Sequence, residues 1–232
     1  MRILGIESSS LVASVAVVTD GVLTAEYTVN YKKTHSQTLL PMLDEMGKLL
    51  ELDLDTVDGI AVSAGPGSFT GLRIGSATAK GLGLALKKPL IHIPTVDALA
   101  YNLWGTSALV CPIMDARRNQ VYTGLYYVEE QLQVVKEQCA MDMHQLIEEL
   151  NDRGERVIFL GDGVPVYQKL IEAQMSGRYA FAPAQSSRQR AASVASLGMI
   201  YMAAGKAETA ADHKPEYLRK PQAEREREGI TL

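Results

Sequence analysis

Cysteine is almost missing from this chain: 232 residues contain two, Cys111 and Cys139. They have neither metal-ligand spacing nor the paired pattern of a small secreted domain, so they read as reduced structural residues. Histidine is scarce as well. The four, His35, His92, His144 and His213, never form a closely spaced pair that would offer two imidazoles to one ion. No metal site and no cofactor are therefore expected. Excess positive charge is also lacking. A formal charge of −4 argues against a chain that grips nucleic acid alone, because that grip rests on clustered Lys and Arg. The basic pairs Lys32-Lys33, Lys87-Lys88, Arg117-Arg118 and Arg219-Lys220 are scattered and read as solvated surface. Long apolar runs are absent too: none approaches the roughly 18 residues that span a bilayer. Met1-Arg2-Ile3-Leu4-Gly5-Ile6-Glu7 reads as a strand rather than a secretory signal, so a cytoplasmic location is expected.

What the chain does contain is an apolar fraction of 47%, enough for one large core or two smaller ones. Runs rich in β-branched residues predict strands over Arg2 to Glu7, Leu11 to Thr19 and Val22 to Val29, the last two joined by an Asp20-Gly21 turn. A helix follows from Ser36 to Leu50, with Leu39, Leu43, Met46 and Leu50 in one stripe. Strand Gly59 to Ser63, helix Thr70 to Lys87, strand Leu90 to Ile93 and a helix from Thr95 complete a βββαβαβα order. The order then recurs. Strands Ala108 to Asp115, Gln120 to Tyr127 and Leu132 to Val135 precede helix Met143 to Leu150. Strand Arg156 to Leu160, a helix opened by Gly161-Asp162-Gly163, strand Tyr179 to Phe181 and a helix within Ala191 to Ala204 follow. Two similar α/β lobes are expected, residues 1–103 and 104–205, each a mixed sheet flanked by helices. Residues 206–232 form a C-terminal tail that packs on the lobes, held by Tyr217 and Leu218.

The segment Ser63 to Gly75 carries the most information. An apolar strand enters Gly65-Pro66-Gly67, whose backbone freedom and following helix start suit an anion. The spacing nonetheless matches neither a P-loop nor a dinucleotide fingerprint. Within the helix Gly71, Gly75, Ala79 and Gly83 recur every fourth residue and line one face. Each helical glycine costs about 1 kcal/mol relative to alanine, so another backbone must approach closely. Two readings stay open at this point: helix on sheet within the chain, or helix on helix with another subunit.

The duplicated plan resembles the actin, sugar kinase and Hsp70 (ASKHA) superfamily. The ordered strings ILGIESSS, THSQTLLPMLDEM, AVSAGPGSFTGLRIGSATAKGLGLAL, MDARRNQVYTGLY and PEYLRKPQAE narrow this further. Together they resemble the TsaB (YeaZ) family. The resemblance implies a role in making N6-threonylcarbamoyladenosine, beside the anticodon of tRNA, as a non-catalytic subunit. The implied partners are the homologous transferase TsaD, which binds the metal and threonylcarbamoyl-adenylate, and the ATPase TsaE. A homodimer is implied when the chain is alone, and tRNA is met only through the complex. Where the transferase carries a His-x-x-x-His pair, the matching positions here are Thr95 and Leu99, which cannot replace imidazole ligands. The implied partner interface comprises His35, Leu39, Leu43, Met46, Gly71, Arg73, Gly75, Ala79 and Gly83. A bulky residue at Gly75 or Ala79 is then expected to abolish association and leave the fold intact. Glu7, Ser8, Ser9, Asp115, Gly161, Asp162 and Gly163 read as strand-end turns that keep a vestigial nucleotide-binding cleft. A stand-alone ATPase or kinase is the alternative, with a glycoprotease-like metallopeptidase behind it.

Overall fold

A computed structural model describes residues 1–219. The first sheet is built from β1 (Arg2–Glu7), β2 (Val12–Thr19), β3 (Val22–Asn30), β4 (Gly59–Gly65) and β5 (Leu90–Pro94). Helices α1 (His35–Leu49), α2 (Phe69–Leu86) and α3 (Thr95–Tyr101) are interleaved with them. The second set is β6 (Thr106–Asp115), β7 (Gln120–Val128), β8 (Gln133–Asp142), α4 (Met143–Arg153), β9 (Val157–Leu160), α5 (Val164–Gln174), β10 (Tyr179–Phe181) and α6 (Ala191–Ala203). The strands order as β5-β4-β1-β2-β3 in one sheet and β10-β9-β6-β7-β8 in the other, so each element of the first half has its counterpart in the second. The hairpins pair antiparallel and the crossovers parallel in both. This is the duplicated, two-sheet α/β plan of the actin-like superfamily.

Two residues beyond the repeat, β11 (Ala207–Glu208), pair antiparallel with β5 and extend the first sheet by one edge. The third strand of the second half is also longer than its apolar stretch suggests, running on to Asp142 through mostly half-buried positions.

Alternation along the strands sets the layers, since successive side chains point to opposite faces. Leu4, Ile6, Ile60 and Val62 share one core with Leu39, Met42 and Met46 of α1 and Ala79 of α2. Ile3, Ala61, Ile91 and Ile93 face the other way, onto Val194 and Leu197 of α6. In the second sheet α4 and α5 cover Leu109, Cys111, Ile113 and Phe159. The opposite face, with Val110, Met114, Tyr126 and Leu160, packs on Val96, Leu99 and Ala100 of α3.

The helix that closes the second repeat, α6, lies on β1, β2 and β4 of the first sheet, and α3 from the first repeat lies on β6 and β7 of the second. Each repeat lends its last helix to the other. Both helices are hydrophobic on more than one side, because each is sandwiched rather than half-solvated.

The segment after α6 is likewise held by more than Tyr217 and Leu218. Beyond β11, Ala210 enters the first core, Lys80 Nζ donates to the carbonyls of Ala211 and His213, and the Glu216 N–H donates to the Ala64 carbonyl at 2.6 Å. The charged run Glu224 to Glu228 lies outside the described residues.

Candidate functional site: a sealed cleft and a helical face

The carboxyl ends of β1, β4, β6 and β9 converge on a cavity of about 460 Å³ between the two sheets. In open α/β sheets this is where ligands bind. Ser9, Asp115 and Asp162 line it, together with Pro66, Gly67 and Tyr122. Glu7, Ser8, Gly161 and Gly163 are not part of its wall. Glu7 is fully buried behind the β1 turn, where its Oε1 accepts from the Ser9 N–H and the Ser9 hydroxyl, each at 2.6 Å. Its Oε2 has no hydrogen-bond partner among the described residues.

Burial drives the Glu7 carboxyl well above the ordinary carboxylate range, and the nearby Asp162 adds to the rise. Asp162 is raised for the same first reason, with Asp115 contributing, and its Oδ1 is another buried atom without a partner among the described residues. Asp115, by contrast, accepts from the Arg117 N–H at 2.9 Å and the Tyr167 hydroxyl at 3.2 Å.

Two of the amides at the Gly65-Pro66-Gly67 turn and its exit are engaged within the chain. The Gly65 N–H donates to Thr95 Oγ1 at 3.1 Å and the Ser68 N–H to the Ser9 carbonyl at 2.6 Å. At the start of α2, Ser68 caps the helix by accepting from the Gly71 N–H. Gly65 sits at φ +127°, and a Cβ there would fall 2.0 Å from the Glu216 carbonyl oxygen. Only glycine permits both the angle and the close approach. The segment Glu216 to Arg219 then forms one wall of the cavity. Tyr217 stacks on Phe69 at 4.9 Å between ring centroids, Arg73 lies over the same ring at 3.9 Å, and Arg219 donates to the Ala116 carbonyl.

The small-residue stripe faces inward. A Cβ on Gly71 would meet the Ser8 carbonyl oxygen at 2.1 Å, one on Gly75 would meet Ser8 Oγ at 2.2 Å, and one on Gly83 would meet the Ala210 Cβ at 2.9 Å. Ala79 is fully buried in the first core. These four residues let α2 settle onto the β1 turn, the sheet and the C-terminal segment, and they are not available to another subunit. Leu39 and Met46 are core residues as well, and Leu43 is partly buried against the same core. His35 is half-buried, its Nε2 3.0 Å from the Val12 carbonyl oxygen. Of the nine residues expected at the interface only Arg73 is exposed. The outward side of the two helices consists instead of Leu40, 55% exposed, on α1 and Arg73, Ala77, Gly81 and Leu84, 61% exposed, on α2. An added Cβ at Gly81 meets nothing within 4 Å. Residues 77, 81 and 84 follow helical spacing, so this second stripe of small and apolar residues was present in the sequence beside the first.

Thr95 and Leu99 are both buried, the first engaged with Gly65 and the second packed among Val110 and Leu160. Neither presents a donor toward the cleft. The fold does bring together two histidines that the sequence keeps 121 positions apart. His92 on β5 and His213 beyond β11 lie with ring centroids 5.8 Å apart, and Glu208 Oε1 is 2.6 Å from His213 Nδ1. Burial, then the neighbouring His213, holds the His92 imidazole below its ordinary range.

Comparison with known proteins agrees with this architecture. The profile described as TsaD, tRNA N6-adenosine threonylcarbamoyltransferase, matches residues 23–227. The tRNA threonylcarbamoyladenosine biosynthesis protein TsaB of Bacillus subtilis is 33% identical over 97% of this chain and 96% of its own. Its Escherichia coli counterpart is 34% identical over 56% of this chain and 57% of its own. The structure of YeaZ from Pseudomonas aeruginosa superposes with a TM-score of 0.77 at 25% identity, covering 93% of this chain and 99% of that one. No helix among the described residues is long and apolar enough to cross a membrane. With the sequence strings, the twinned sheets and these relatives in accord, the chain belongs to the TsaB (YeaZ) family of tRNA threonylcarbamoyladenosine biosynthesis proteins.

Proposed function

We propose that this chain is the non-catalytic, activating subunit of a cytoplasmic complex that makes tRNA N6-threonylcarbamoyladenosine, pairing with TsaD and assembling with TsaE. The observation that carries the reading is the pair Thr95 and Leu99. They occupy the positions that resemblance gives to the histidines of the catalytic homologue, and both are sealed in packing. The enclosure of Glu7 supports the same conclusion, since a carboxyl buried behind the β1 turn and out of the cavity is ill suited to positioning a metal-bound phosphate.

A subunit without chemistry acts by binding the active arrangement of its partner more tightly than the inactive one. The surface proposed for this is the outward side of α1 and α2, Leu40, Arg73, Ala77, Gly81 and Leu84. The same face serves a homodimer when the partner is absent, so the two assemblies compete. Binding is tested by titrating TsaD from the same organism into this chain with Ala77→Arg or Leu84→Asp. A loss of at least tenfold in affinity is expected, with stability within about 0.5 kcal/mol of wild type, as for exposed substitutions. Undiminished affinity in both variants excludes this face.

A further inference from the structure

We infer that His92, Glu208 and His213 form a transition-metal site, of the zinc class, that fastens the C-terminal segment to the edge of the first sheet. One donor atom from each lies within 4.8 Å of the other two. Two imidazoles and a carboxylate form a donor set suited to Zn²⁺, and small side-chain rotations suffice to bring them to the roughly 2.0–2.2 Å bonds such ions need. A fourth group is at hand: Glu216 Oε2 is 3.7 Å from His92 Nε2.

The burial of His213 is the second, independent observation. The residue is 1% exposed, its Nδ1 is engaged by Glu208, and its Nε2 has no hydrogen-bond partner among the described residues.

The placement gives the site a role. His92 belongs to β5, while Glu208, His213 and Glu216 all belong to the segment that adds β11, packs Ala210 against α2 and then walls the interlobe cavity. An ion there ties the segment to the sheet at one point and so fixes the wall downstream.

The test uses the full-length, untagged chain, stripped with chelator and dialysed. Zn²⁺ is titrated by calorimetry, and Co²⁺ is added separately to read d–d absorption. One equivalent is expected to bind, and Zn²⁺ at a hundredfold excess over its Kd is expected to raise Tm by roughly 5–10 °C. Hydrogen exchange across 206–216 should slow on binding. His92→Asn, at a partly exposed strand position, should keep the far-UV spectrum and lose at least tenfold in affinity, with or without a folded His213→Asn variant. Failure of the wild-type chain to take up either ion overturns the site, and so does uptake that His92→Asn leaves unchanged.

Discussion

At the scale of single residues, two glycines six positions apart in one helix have opposite meanings. Gly75 lies against Ser8, where an added Cβ comes within 2.2 Å of the hydroxyl oxygen, and Gly81 faces open space. Gly75→Val is expected to lower stability by about 1–3 kcal/mol through overpacking. Gly81→Ala should raise it by about 0.5–1 kcal/mol through helix propensity. Urea denaturation of the two variants checks both signs. A second residue-scale expectation concerns Asp97, whose carboxylate accepts from the Tyr126 hydroxyl at 2.8 Å and the Tyr201 hydroxyl at 3.3 Å. Burial pushes its carboxyl from the ordinary 3.8 up to about 6, despite these hydrogen bonds. Because the folded chain holds the proton more tightly than the unfolded one, this contribution to stability is fully present below about pH 4. It is lost as pH rises through about 6. Glu7 and Asp162, also raised, act in the same direction. The stability of the wild type relative to Asp97→Asn should therefore fall by on the order of 2 kcal/mol between pH 4.5 and 7.5. A difference that stays flat across that range contradicts the assignment.

At the scale of elements, the exchange of α3 and α6 governs cooperativity. Asp97 on α3 reaches Tyr126 of β7 and Tyr201 of α6, and Ser193 of α6 donates to Asn102 beyond α3 at 2.6 Å. Glu26 of β3 pairs with Arg190 at the start of α6. Neither repeat retains a covered sheet if the other unfolds, so calorimetry should record one transition with equal calorimetric and van't Hoff enthalpies. Two resolved transitions contradict the interlocked packing. The strands and helices themselves were legible in the sequence, because a period of two or of 3.6 is a local signal. The destination of a helix is not local. Nothing in Ala191 to Ala203 says that its sheet lies some 190 positions earlier, and a stripe at every fourth residue defines a face without saying what meets it. The two-residue β11 falls below the length at which alternation can be read, and the His92, Glu208 and His213 cluster arises only when that strand pairs with β5. The cleft was readable in part: strand-end turns marked Ser9, Asp115 and Asp162, but the sequence did not reveal that Glu7 is turned inward behind Ser9.

At the scale of the whole molecule, the twinned sheets enclose a cleft at their strand ends, and its details are ill suited to handling a nucleotide. Asp162, whose carboxyl burial raises, lines it, the amides of Gly65 and Ser68 are consumed within the chain, and residues 216–219 occupy one wall. The outward side of α1 and α2 is the surface through which we propose that the chain acts. On the proposed reading the chain activates its partner without chemistry of its own. The most direct measurement is the yield of modified tRNA from TsaD and TsaE supplied with threonylcarbamoyl-adenylate, with and without this chain. The account predicts that modification depends on the chain, survives Glu7→Gln in it, and is lost with Leu84→Asp. Equal modification in the absence of the chain would contradict it.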